Sequence, residues 1–119
     1  MTDTHEKGNL GEDLATEYLE NKGYSIIKRN FHFGKTGEID IIAEKNDELV
    51  FVEVKYRTNR SFGDPLESIT PRKAKTLRRT AEGYLYVNKI TDKPCRIDII
   101  VIDKSGKNEK IQHIENAIF

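Results

Sequence analysis

Asp40, Glu53 and Lys55 form the pattern D-x₁₂-E-x-K on two apolar segments that a short polar stretch joins. Both segments are rich in β-branched residues, so we predict a β-hairpin with Lys45–Glu48 as its four-residue loop. In that register Asp40 lies opposite Glu53, and the alternation of side chains puts Lys55 on the same face. Two carboxylates that face each other across a strand pair, about 5 Å apart, repel unless something compensates their charge.

A hard divalent cation is one such compensation, because Mg²⁺ takes oxygen ligands and often only one or two carboxylates. A bound cation polarises a phosphodiester and lowers the pKa of water, and a neighbouring lysine orients that water or stabilises the developing charge. Glu12, in the first predicted helix, is the available third carboxylate. The structural alternative is a solvated sheet edge at which Lys55 merely neutralises the pair. Glu38 shares the Asp40 face, as a ligand or as the residue that positions Lys55, and we favour the second role.

The elements that must position these residues are those of an α/β domain with helices packed on a mixed sheet. Residues 1–7 are polar and expected to be frayed. The apolar spacing then predicts the order α-β-β-β-α-β with one further edge strand, over residues 8–22, 24–31, 38–43, 49–55, 71–87, 96–102 and 110–114.

Composition limits the classes of protein to consider. The chain has 119 residues, 34% charged and 36% apolar, and we treat it as a single domain over 1–119. No apolar run reaches the length of a membrane helix, and the single cysteine, Cys95, fits a cytoplasmic protein without an internal disulfide. Twenty basic and twenty acidic residues balance, so only local patches favour nucleic acid as a partner.

Basic residues cluster in two places. Arg57 and Arg60 follow the second hairpin strand, and five more crowd the first two turns of the second predicted helix: Arg72, Lys73, Lys75, Arg78 and Arg79. The helix dipole disfavours cations at a helix N-terminus, so helix stability does not explain the second group. A phosphate-contacting surface and a plain solvated face remain equal alternatives.

The order of these motifs resembles the PD-(D/E)XK nuclease superfamily, in particular the archaeal Holliday-junction resolvases. Over about residues 8–119 the chain resembles still more closely the YraN family of small bacterial proteins. The segments that carry this resemblance are 8–12 (GNLGE), 37–40 (GEID), 52–55 (VEVK) with Arg57, 70–73 (TPRK), 96–98 (RID) and 114–117 (IENA).

The resemblance implies a restriction-endonuclease-like core and a site that binds Mg²⁺ or Mn²⁺. Asp40, Glu53 and Glu12 would be metal ligands, and Lys55 catalytic. It also implies nucleic acid as a partner, DNA being expected, and it is compatible with a homodimer, because resolvases pair two sites. No small-molecule cofactor and no membrane are implied. Ile39 replaces the proline that names the superfamily motif, which supplies no ligand.

Three functions follow from these observations. The leading one is a metal-dependent endonuclease acting on DNA, including branched DNA, with Arg57, Arg60, Arg72, Lys73, Lys75 and Arg79 contacting the nucleic acid. The alternative, which the neutral net charge favours, is a nucleic-acid-binding module with little or no catalysis. The third is a structural domain. The three histidines (His5, His32 and His113) are interpreted as surface residues, and Arg96 with Asp98 as a structural pair.

Overall fold

The predicted element order and the α/β class are confirmed. A computed structural model describes residues 4–58, 69–104, 106 and 108–118. Two helices and five strands follow in the order α1 (Thr4–Asn21), β1 (Ser25–Phe33), β2 (Gly37–Lys45), β3 (Glu48–Arg57), α2 (Pro71–Val87), β4 (Cys95–Asp103) and β5 (Lys110–Ile118).

The five strands form one mixed sheet in the order β1-β2-β3-β4-β5. β3 and β4 run parallel, and the other three neighbouring pairs are antiparallel. A parallel pair needs a long crossover connection, and the segment that contains α2 supplies it. The strand that carries Glu53 and Lys55 is therefore the central strand of the sheet.

The β2–β3 hairpin turns on two residues rather than four. Asn46 and Asp47 have φ of 52° and 66°, and Lys45 pairs with Glu48 at the ends of the strands. Two consecutive residues with positive φ make the tight turn that matches the twist of a hairpin, and Asn and Asp tolerate this conformation. The predicted four-residue loop is wrong, although the predicted pairing of Glu44 with Leu49 is present.

The C-terminus of α1 and the N-terminus of α2 both have residues that favour a helix end. α1 ends before Gly23, whose φ of 92° is the left-handed conformation of a helix C-terminus. α1 begins at Thr4, earlier than the predicted Gly8, so part of the segment expected to be frayed is helical. The Thr70 hydroxyl caps α2 by accepting from the backbone N–H of Lys73 at 3.1 Å.

One helix covers each face of the sheet. Leu19 of α1 packs in a buried cluster with Val50 and Ile100, whereas Leu77 of α2 packs in a second cluster with Phe51. β3 thus buries apolar side chains on both faces, as a central strand does. Neither helix in the described ranges is long and apolar enough to cross a membrane.

Candidate metal centre

Gly11 brings Glu12 to the sheet. A Cβ atom at Gly11 would lie 2.9 Å from Cδ2 of Tyr56, so a glycine lets α1 approach β3 at this point. The next residue, Glu12, is only 8% exposed and faces Arg29 of β1, with 3.5 Å between Oε1 and Nη2. A carboxylate is therefore held under the helix, close to the start of β2 and the end of β3.

Asp40 lies where the regular geometry of β2 breaks. Ile39 packs in the α2-side cluster and Ile41 in the α1-side cluster, although residues two apart on a regular strand share a face. The ladder between β2 and β3 runs from Lys45–Glu48 only as far as Ile41–Val52. Asp40 is therefore not directly paired with Glu53 as predicted. Instead its Oδ2 accepts from the backbone N–H of Val54 at 2.8 Å.

Three carboxyl groups meet in this gap between the strands. Glu12, Glu38 and Asp40 each place an oxygen within 4.8 Å of the other two. Glu38 does not face Lys55, as the sequence interpretation favoured, because its carboxylate lies 3.7 Å from Nε2 of His32 and joins the acidic group. The break in β2 explains the difference, since a regular strand would have carried Glu38 towards Lys55.

Glu53 lies on the other side of Asp40 and is already neutralised. Its side chain is 7% exposed, and its Oε2 lies 3.1 Å from Nζ of Lys73 and 3.6 Å from Nζ of Lys55. The predicted proximity of Glu53 and Lys55 is present. The contact with Lys73 was not predicted, because it depends on how α2 docks rather than on sequence spacing.

Electrostatics mark Asp40 as the most perturbed carboxyl group of the site. Burial, the charge of Glu53, the hydrogen bond between these two carboxyl groups and the charge of Glu12 raise the pKa of Asp40 to about 8, against the opposing Val54 N–H. Burial also raises the pKa of Glu12, although the charge and hydrogen bond of Arg29 oppose it. Without a cation the site therefore disfavours the charged forms of Asp40 and Glu12.

The donor set fits a hard divalent cation. Two oxygens bound to one Mg²⁺ at about 2.1 Å lie at most about 4.2 Å apart. The separations of up to 4.8 Å within the acidic group need only small side-chain rotations to reach that geometry. Three carboxylate oxygens without sulfur or nitrogen donors favour Mg²⁺, Mn²⁺ or Ca²⁺ over softer metals.

The predicted nucleic-acid contacts are partly placed. Arg72, Lys75 and Arg79 are exposed on α2, and Arg57 is the last residue of β3. Arg79 lines a shallow groove together with Phe33 and Tyr86. Arg60 lies outside the described residues. The roles of these residues stay predictions.

A second charged cluster lies apart from the acidic group and is structural. Asp98 is fully buried and accepts from Arg96 Nε at 3.0 Å, so the predicted pair is present. The side chain of His113 is only 7% exposed and lies 2.7 Å from Asp98 and 3.2 Å from the Tyr18 hydroxyl. The interpretation of His113 as a surface residue is wrong, because β5 extends past it and packs it under α1.

The chain belongs to the family described as "Uncharacterised protein family UPF0102", whose profile matches residues 11–102. This confirms the resemblance to the YraN family. A UPF0102 protein of Neisseria meningitidis serogroup C is 44% identical over 110 residues, covering 92% of this chain and 95% of its own. Another, from Alkaliphilus oremlandii, is 46% identical over 112 residues with the same coverage.

Among solved structures, the calcium complex of Pyrococcus furiosus SfsA is similar at 18% identity and a TM-score of 0.39. The match covers 98% of this chain and 65% of the SfsA chain, so this chain spans just under two thirds of that protein. The two folds superpose only loosely.

Proposed function

We propose that this protein is a metal-dependent endonuclease that hydrolyses phosphodiester bonds in DNA, with Mg²⁺ or Mn²⁺ as its cofactor. The observation that carries the proposal is the position of Asp40. Its carboxyl group lies in the gap between β2 and β3, with Glu12 and Glu38 beside it and Glu53 with two lysines on its other side. Carboxylates that can bind a cation therefore lie next to lysine ammonium groups that can bind a phosphate.

The acidic residues hold the cation, and the lysines serve the substrate. When bound, a divalent cation neutralises charge on the scissile phosphate and acidifies water. Glu12, Glu38 and Asp40 supply its oxygen ligands, and the backbone N–H of Val54 fixes the orientation of Asp40. Lys55, with its side chain 30% exposed beside Glu53, donates to the attacking water or to the developing oxyanion.

Nucleic acid is the proposed partner because basic residues lie at the end of β3 and in the first turn of α2, the elements that carry Lys55 and Lys73. Lys73 and Arg72 begin α2, and Arg57 ends the strand that carries Lys55. These positions suit contacts to phosphates, which orient a duplex without reading its sequence. A homodimer would present two such sites to the two strands of a branched substrate.

A second function is favoured by the charge balance at Glu53. Two lysines neutralise this carboxylate without a cation, which suits a nucleic-acid-binding module that has lost catalysis. The two functions differ in one measurable property, since a pure binding module has no need to hold a divalent cation at Asp40.

The test is cleavage of labelled linear, flapped, single-stranded and four-way-junction DNA in Mg²⁺, Mn²⁺ or EDTA. We expect metal-dependent cutting that Asp40→Asn lowers roughly a hundredfold or more, the usual cost of removing a group that stabilises a transition-state charge. Asp47→Asn is the matched control, because it makes the same chemical change in the exposed turn of the same hairpin.

Equal cutting by wild type and Asp40→Asn would overturn the site assignment. DNA binding without cutting, and without any uptake of Mn²⁺, would favour the binding module. Light scattering of the protein, with and without four-way-junction DNA, gives its molar mass and so tests the proposed dimer.

A further inference from the structure

Lys73 is tied to the site by its position at the start of α2. Pro71 and the hydrogen bond from the backbone N–H of Lys73 to the Thr70 hydroxyl fix the first turn of the helix. Gly37 lets this helix approach β2, since a Cβ atom there would lie 2.6 Å from both Thr76 Cγ2 and Thr80 Oγ1. The helix is thereby held where the Lys73 side chain spans to Glu53.

Two ammonium groups share one carboxylate oxygen. Nζ of Lys73 lies 3.1 Å from Glu53 Oε2, nearer than Nζ of Lys55 at 3.6 Å. A buried carboxylate needs a counter-charge, and one lysine already supplies a full unit of charge. The second lysine is therefore surplus to the neutralisation of Glu53 alone. It becomes useful when a cation and a phosphate enter the site.

We propose that Lys73 is a positioning residue that competes with the divalent cation for Glu53. This inference rests on the proposed function. In the metal-free protein Lys73 occupies the carboxylate oxygen that would otherwise extend the acidic group of Glu12, Glu38 and Asp40. Glu12, Glu38 and Asp40 would then hold the cation, and Glu53 would join them only as Lys73 leaves it.

The departure of Lys73 requires another anion to receive it. Its side chain is 40% exposed, whereas that of Glu53 is 7% exposed, so the ammonium group reaches solvent from the same contact. A phosphate of the substrate is the anion at hand, and lysine binds phosphate as a mobile point charge. The chain thus couples full cation binding to the arrival of substrate, which restrains metal binding by the free protein.

The experiment measures Mn²⁺ binding to the full chain without DNA, by electron paramagnetic resonance of the free ion. Lys73→Met should bind Mn²⁺ about tenfold more tightly than wild type, because a neighbouring opposite charge changes the proton affinity of a carboxylate by about one to three powers of ten. Lys73→Gln tests the same loss of charge with a different shape. Lys73→Arg keeps the charge and should bind within about threefold of wild type.

The matched control is Lys93→Met, which breaks another Lys–Glu pair. Nζ of Lys93 lies 2.6 Å from Oε2 of Glu44, at the far end of β2. It removes the same unit of net charge and should leave the affinity unchanged. In a Glu53→Gln background, Lys73→Met should lose its effect, since the competition acts through that carboxylate.

The outcomes separate the two proposals. If wild type binds Mn²⁺ and cuts DNA but Lys73→Met matches Lys93→Met, the competition is overturned and the proposed function stands. If Lys73→Met tightens binding but no variant cuts DNA, the competition stands and the endonuclease falls. If neither wild type nor Lys73→Met binds Mn²⁺ and neither cuts DNA, both are overturned.

Discussion

At the scale of single residues, Asp40 carries the conflict between stability and function. Its carboxyl group is buried beside Glu53 and Glu12, and the stabilising contact to the Val54 N–H does not offset that environment. Local rules of folding disfavour such a group, and proteins break these rules chiefly at functional sites. Asp40 therefore lowers the stability of the metal-free fold.

Asp40→Asn should raise the free energy of unfolding in EDTA by on the order of 1–4 kcal/mol at pH 8, as when buried ion pairs are replaced by uncharged residues. The pKa of Asp40 is about 8 in the fold, against about 3.9 in an unfolded chain. The protonated carboxyl group does not destabilise the fold, so the fold has its full stability below about pH 4. That stability is lost as the pH rises through the folded-state pKa of about 8.

The advantage of asparagine should therefore grow from about pH 4 and level off above about pH 8. Urea denaturation at several pH values measures it, with Asp47→Asn as the control. A less stable Asp40→Asn protein at pH 8 would contradict the electrostatic description of the site.

The residues of the site were predictable to different degrees. Glu53 and Lys55 share a face because β3 is regular up to them, so spacing alone sufficed. The place of Glu38 in the acidic group could not be predicted, since it depends on the break in β2 at Asp40, and no residue type there signals a break. Across the sheet from Asp40, Asn30 of β1 has a φ of 55°, between Arg29 and Phe31, which pair with Ile41 and Ile39.

At the scale of elements, two glycines set how closely the helices approach the sheet. Gly11 lies against Tyr56 and Gly37 against Thr76 and Thr80, one contact on each helix. Each glycine directly precedes a glutamate of the acidic group. The spacing between helix and sheet therefore determines whether the carboxylates meet.

Gly11→Ala tests that spacing, because two physical effects predict opposite changes in the free energy of unfolding. Helix propensity alone predicts a gain of about 1 kcal/mol in stability for alanine over glycine. The contact with the Tyr56 ring, 2.9 Å from the new Cβ atom, predicts instead a loss, of about 1–3 kcal/mol as in other overpacked sites. We expect the loss, with Mn²⁺ affinity lowered about tenfold because Glu12 moves.

Thermal unfolding and Mn²⁺ titration measure both effects, and Glu17→Ala on the exposed side of α1 is the control. A Gly11→Ala protein that is more stable than wild type and binds Mn²⁺ normally would show that the close approach is unnecessary.

The elements themselves were largely predictable, because apolar periodicity and turn residues are local signals. The helix over 71–87 matches α2 residue for residue, since Thr70 and Pro71 mark its start. The hairpin loop was predicted too long, because Lys45 and Glu48 are polar and yet pair across the strands. Polarity marks exposure, and an exposed strand end is as polar as a loop.

At the scale of the whole molecule, the cluster around Asp98 joins distant parts of the chain. Arg96 Nη1 donates to Glu48 at the start of β3, and its Nη2 donates to the Tyr24 hydroxyl before β1. Asp98 also accepts from the backbone N–H of Asn116 in β5. This cluster was not predictable beyond Arg96 and Asp98, since its other members are distant in sequence.

Asp98→Asn should lower the free energy of unfolding at pH 7 by about 3 kcal/mol or more, the usual cost of breaking a buried ion pair. Burial alone would raise the pKa of Asp98, but the hydrogen bonds from His113, Arg96 and Asn116 and the Arg96 charge outweigh it and lower that pKa. This stability is present above about pH 4 and is lost as the pH falls through the lowered pKa.

The difference between wild type and Asp98→Asn should therefore shrink between pH 7 and pH 2, as measured by urea denaturation. Asp13→Asn, at an exposed surface pair with Arg29, is the control. A difference that stays constant over this range would mean that packing rather than charge makes the cluster stabilising.

The parallel pairing of β3 with β4 also has a consequence for how the chain is made. Arg57, which ends β3, pairs with Asp103, and at about 5–20 residues per second a ribosome takes roughly two to nine seconds to add the intervening stretch. The β2–β3 hairpin closes within about 10 μs. During this interval the edge of β3 that later pairs with β4 is unpaired and can pair with other nascent chains. A chaperone that binds nascent chains would matter most at this stage.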